Sequence, residues 1–193
     1  MDHDREPPSA RPVNRHRRRM IAAGVAALAA SALSRPLSAA SALSGAPLPA
    51  PVGPVVLRIE GAIELRNTPD AATFDDAMLL DLPQVGFTTS TIWTPQPEHF
   101  SGPPLGVVLD CVAARGTRLI AIAANEYRAE IAYDEVDEMA PILAIRRNGQ
   151  PFGLRQRGPI WLVFPFDSEP RYRNERIYSQ SVWQLTTLSV LDG

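Results

Sequence analysis

Few side chains in this sequence could do independent chemistry, and their types narrow it further. All 19 basic residues are Arg, with no Lys anywhere. That excludes Schiff-base, P-loop and Ser-Lys mechanisms. His99 is the only histidine beyond the N-terminal segment, and Cys111 is the only cysteine. A Ser-His-Asp triad would have to use His99, yet no G-x-S-x-G elbow accompanies Ser90 or Ser101. One Cys allows no intramolecular disulfide, and one Cys with one His is too little for a structural zinc site. Cys111 lies at the edge of an apolar helical stripe and reads as a packing residue without a cationic neighbour to activate its thiol. Asp134, Glu135, Asp137 and Glu138 do not follow EF-hand spacing and read as a solvated face. The Arg pairs 146/147, 155/157 and 171/173 are potential anion clasps. Arg155 and Arg157 are the strongest of these, since an extended segment would place both on one face.

The chemistry-bearing stretch is TTSTIWTPQPEHFSG, residues 88–102, rich in hydroxyls and holding His99. Around it the sequence predicts a strand over 55–65 with a bend at Gly61, and a short helix within 67–83 capped by Asp75 or Asp76. A strand over 85–93 leads to turns and then a helix at about 103–114, where Leu105, Val108, Leu109 and Val112 form the stripe. Strands follow at 117–124 and 126–133, then a helical turn within 133–139. Residues 140–153 read as a hairpin about Asn148-Gly149, and 158–167 as a buried strand. Residues 169–180 read as a charged surface segment and 181–190 as a closing strand. Trp93, Trp161 and Trp183 sit among apolar or β-forming residues and are expected in the core or lining a cleft. Many strands with few short helices give an α+β class, a mixed β-sheet domain.

The N-terminus has a different character. RHRRRM is followed by the apolar run MIAAGVAALAASAL and the small-residue stretch SAASALSGA. This is the pattern of an export signal over residues 1–42, fitting either a twin-arginine or a general secretory route. Residues 43–54 are a Pro/Ala-rich linker, and 55–193 are the domain. The expected location is therefore periplasmic or secreted, without a permanent membrane span. Beyond residue 42 there are 12 Arg against 18 acids. An acidic domain with no basic stripe excludes nucleic acid as the expected partner.

Read in order, 87–110, 125–136, APILAIRRNGQPFGLRQRGPIWLVFPFD (140–167) and SVWQLTTLSV (181–190) resemble the oxidoreductase molybdopterin-binding domain, the fold of sulfite oxidase. The resemblance covers about 55–191 and is nearest to the short, single-domain exported members. It implies a molybdopterin cofactor whose metal, in the catalytic enzymes, takes a cysteine thiolate. The equivalent region here is Thr88-Thr89-Ser90-Thr91, and Cys111 comes later, inside the following helix. The resemblance also implies His, Arg and Lys donors to the pterin phosphate. Here Arg157 stands where the His is expected, Trp161 where the Arg is, and Ser181-Val182 where the Lys is. The candidate cofactor-binding residues are thus Thr89, Ser90, Thr91, His99, Arg128, Arg155 and Arg157, with no metal ligand and no catalytic residue assigned. Two functions stay open. One is an oxidoreductase-family protein, catalytically degenerate, that still holds a pterin-type ligand. The other is a cofactor-free module outside the cytoplasm that binds a small anion or a partner protein.

Overall fold

The computed structural model describes residues 47–192, so the export-signal reading of 1–42 lies outside the described residues. The strands and helices are β1 (Leu57–Gly61), β2 (Ala71–Phe74), α1 (Asp76–Asp81), β3 (Val85–Thr89), β4 (Glu98–Gly102), α2 (Leu105–Cys111), β5 (Arg118–Ala123) and β6 (Arg128–Ala132). They continue with β7 (Ile142–Ala144), β8 (Arg146–Arg147), β9 (Trp161–Val163), α3 (Glu175–Gln180) and β10 (Leu185–Leu191). One sheet runs β2-β1-β10-β5-β6, a second β3-β4-β8, and β7 pairs with β9. Only β1–β10 is parallel; the other ladders are antiparallel. The architecture is mixed α and β, as the sequence predicts.

The strand periods explain the layers. β5, β6 and β10 alternate buried with more exposed residues, the mark of a sheet with one covered face. β7 and β9 are buried at every position and are apolar throughout. The predicted stripe of Leu105, Val108, Leu109 and Val112 is buried, as is Cys111 at its edge, although α2 is shorter at both ends than expected. Asp75 caps α1: Oδ1 accepts the Met78 N–H at 2.9 Å, while Oδ2 accepts from Val52 and Gly53 at 2.9 and 2.7 Å. The end of the Pro-rich stretch is thereby tied to the domain.

Gly61 ends β1 at φ +90°, opposite Val190 of β10. A Cβ there would lie 2.1 Å from the Val190 carbonyl oxygen. Gly61→Ala is therefore expected to cost about 1–3 kcal/mol, read as a lower denaturant midpoint at unchanged slope. Gly102 serves a related purpose, because a Cβ would lie 1.9 Å from the Leu143 carbonyl oxygen. It lets β4 run tight against β7.

Four sequence expectations are corrected. The predicted turn region of 88–102 contains β4, so the stretch is a β3–β4 hairpin whose loop spans 90–97. The Asn148-Gly149 turn forms, with φ of +51° and +76°. Its flanks pair only beside the turn, where Arg147 and Gln150 exchange N–H···O bonds of 2.8 and 3.1 Å; otherwise β8 joins β4, while apolar β7 is drawn to β9. The strand expected over 158–167 is ordered as β only at Trp161–Val163. The charged segment 169–180 holds α3, capped by Asn174, whose Oδ1 accepts the Ile177 N–H at 3.0 Å. Its charges hide a helix that buries Ile177 and Gln180.

Candidate functional site

The hydroxyls of the hairpin loop serve the loop itself. Thr89, fully buried at the end of β3, accepts the Asp167 N–H at 3.1 Å. The Ser90 N–H donates to Asp167 Oδ2 at 2.6 Å. Thr91 Oγ1 bonds Thr94 Oγ1 at 2.9 Å and accepts the Trp93 N–H at 3.1 Å. These bonds fix the loop and push Ile92, 65% exposed, and Trp93 outward from the polar turn. The Asp167 carboxyl lies below the usual carboxylate range, chiefly through the Ser90 N–H and further through Arg173, whose Nη2 is 2.7 Å from Oδ1.

The other candidates do not join them. His99 is exposed on β4, with Nδ1 3.3 Å from Thr88 Oγ1, and its backbone N–H donates to Asn148 Oδ1 at 2.9 Å. Arg128 is exposed at the start of β6. Arg155 and Arg157 do not share an extended face: Arg155 lies in a 3₁₀ turn, Leu154–Gln156, and Arg157 closes it in the left-handed region at φ +74°. The Gly158 N–H donates to the Gly153 carbonyl at 3.0 Å, which tightens this loop and rules out the extended conformation. Arg157 instead stacks on indoles, 5.8 Å from the Trp161 ring centroid and 5.5 Å from that of Trp183. Cys111 lines a separate apolar niche with Leu48, Phe74 and Met78, and burial pushes its thiol up. Among the described residues no three His, Cys, Asp or Glu side chains gather as a metal site.

What the fold does bring together is aromatic. Trp93 meets Trp161 at 5.9 Å, Trp183 at 5.5 Å, Tyr178 at 6.2 Å and Phe166 at 6.3 Å between centroids. Trp161 also packs edge-on to Phe100 at 5.2 Å. The rings come from the loop, β9, α3 and the segment before β10. An isolated bridge between Trp161 and Trp183 and the Leu162 N–H to Val182 carbonyl bond (2.9 Å) align β9 with the segment before β10. Beside this cluster opens a cavity of about 410 Å³ whose walls include Ile92, Trp93, Tyr178, Val182 and Trp183. Its volume suits a small molecule. The sequence reading placed the three Trp in core or cleft. It missed Tyr178, because α3 looked like surface, and Tyr127, which sits at the cavity mouth.

No protein-family model matches the chain, and no curated protein matches its sequence. The crystal structure of the sulfane dehydrogenase SoxCD from Paracoccus pantotrophus is similar, with a TM-score of 0.53 and 18% identity. The likeness is one of fold. It covers 71% of this chain and 38% of that one, so this chain matches little more than a third of the other's length. At that level it agrees with the fold relationship that the sequence resemblance implies.

A molybdopterin group can be tested against the residues present. The resemblance places phosphate donors at 157, 161 and before 183. Arg157 is laid on indole faces, Trp161 is fully buried and packed, and the Ser181 hydroxyl donates to the Ile177 carbonyl at 3.0 Å. Near the loop, Arg173 is already paired and Asp167 adds a carboxylate where an anionic group would approach. Thr91 and Thr94 hydroxyls bond each other, Thr89 Oγ1 accepts the Asp167 N–H, and no thiolate stands among them. This donor set does not fit the group.

Proposed function

We propose that this protein is an exported binding module on an oxidoreductase-type fold, carrying no molybdopterin and performing no oxo-transfer. Its ligand site is the aromatic cavity between the 90–97 loop and α3. The observation that carries this reading is Trp161, which stands where the resemblance expects an Arg phosphate donor and packs there with Trp93 and Trp183. An indole in that place offers no charged donor, and the three rings together build an apolar wall. Among the described residues, Glu175 is the only charged one lining the cavity, which suits neither a small anion nor a pterin phosphate.

A degenerate oxidoreductase that retains a pterin is the second reading, favoured by the fold likeness to the sulfane dehydrogenase. Molybdenum and pterin content separates the two. Purified from a host that makes the cofactor, the protein is expected to hold far less than one equivalent of either. Near-stoichiometric pterin, with or without metal, would favour the second reading.

A further inference from the structure

The walls of the aromatic cavity have a definite electrostatic character. Trp93 stands nearly perpendicular to Trp183 (80°) and to Tyr178 (89°). Electron-rich ring faces attract positive charge. Three lining hydroxyls are already used as donors to backbone carbonyls. Tyr127 Oη donates to the Ser179 carbonyl at 2.7 Å, Ser179 Oγ to the Arg176 carbonyl at 2.7 Å, and Ser181 Oγ to the Ile177 carbonyl. Glu175 is exposed at the cavity and makes no ion pair among the described residues.

The same cluster already accommodates one cation. Arg157 stacks against Trp161 and Trp183, and its side chain makes no hydrogen bond or ion pair among the described residues. It lies outside the cavity lining. Its charge disfavours a second cation at Trp183 and shifts the attractive region toward Trp93, Tyr178 and Glu175.

We propose that this cavity binds a small organic monocation with an apolar body, of the alkyl- or arylammonium class. The proposal rests on the reading that the cavity is the ligand site. The apolar body fills the space against Ile92, Val182 and Trp183, while the ammonium faces Trp93, Tyr178 and the Glu175 carboxylate.

Tryptophan fluorescence reads this directly, because two of the three indoles line the cavity. The full exported protein is titrated with benzyltrimethylammonium, benzyl alcohol and benzenesulfonate, three probes of one shape class and different charge. The cation is expected to saturate, the neutral probe to bind about ten-fold more weakly, and the anion to show no saturable change. Glu175→Gln, at an exposed position, should weaken the cation by roughly three- to ten-fold and leave benzyl alcohol unchanged. Trp93→Leu should remove binding of both. Equal or tighter binding of benzenesulfonate overturns the monocation proposal, as does a cation affinity indifferent to Glu175→Gln. In either case, binding lost in Trp93→Leu keeps the cavity as the ligand site. Absence of any saturable binding overturns the monocation proposal too, and the cofactor content then decides the underlying reading separately.

Discussion

Trp161→Ala is expected to destabilise the domain by about 3–5 kcal/mol, the largest effect of any single change in the aromatic cluster. Trp161 is fully buried and packs on Trp93, Phe100 and Trp183, so truncation removes apolar contact from three neighbours and leaves a cavity. The chevron or equilibrium midpoint should shift without a change in denaturant slope. Trp161→Phe tells more. The Trp161 indole N–H is buried without an acceptor among the described residues. An unpaired buried donor costs about 1–3 kcal/mol, so removing it offsets much of the lost packing. Trp161→Phe should therefore cost less than about 1.5 kcal/mol. A loss as large as that of the Ala variant would mean that the N–H has a partner.

Glu98→Ala is expected to cost about 2–3 kcal/mol, for an electrostatic reason. Glu98 starts β4, and its carboxylate receives Arg147 and Asn148 from β8 and the turn that follows. The side chains of Glu98 and Arg147 are only 13% and 18% exposed. Removing the acid leaves a mostly buried guanidinium uncompensated. The pair's place near exposed Asn148 keeps the cost below that of a deep-core pair. Glu98→Gln keeps an acceptor and should cost about 1–2 kcal/mol. Arg147, then Asn148, holds the Glu98 carboxyl below its ordinary range. Asp76 is held low by Arg146, and Asp167 chiefly by the Ser90 N–H. A carboxyl with a depressed folded-state pKa contributes stability that is full above the unfolded value. That contribution is lost as pH falls through the folded value. Thermal stability should thus decline below about pH 4, and Glu98→Gln should show a shallower decline.

The parts of the fold legible in the sequence are those set by local period and local chemistry. Alternation exposes β5, β6 and β10, the apolar stripe exposes α2, and Asp75 announces the start of α1. Gly61 is legible as a bend, because only its missing Cβ lets β1 approach Val190. Elements held by distant partners are not. β4 hides behind Pro95 and Pro97, since its order comes from pairing with β3 and β8. α3 hides under its charges, because Ile177 and Tyr178 acquire meaning only when the helix meets the cluster.

The candidate site divides in the same way. The hydroxyls and arginines were identifiable by type, but their partners decide their roles, and those partners lie far off in sequence. Asp167 is 77 residues from Ser90. By residue type Arg157 is a potential anion clasp, yet its left-handed backbone turns it onto Trp161 and Trp183. The aromatic site needs Trp93, Tyr178 and Trp183 in one place, and no local pattern states that they meet.

The most direct measurement is molybdenum and pterin content in the native protein and in Ser90→Cys, purified side by side from a cofactor-making host. Ser90→Cys returns a thiolate source to the loop while leaving the indoles in place. If the aromatic cluster excludes the cofactor, both proteins hold far less than one equivalent of molybdenum and pterin. Near-stoichiometric loading of the native chain would contradict the binding-module reading outright. Loading of Ser90→Cys alone would show that a missing thiolate, and not the packed indoles, keeps the group out.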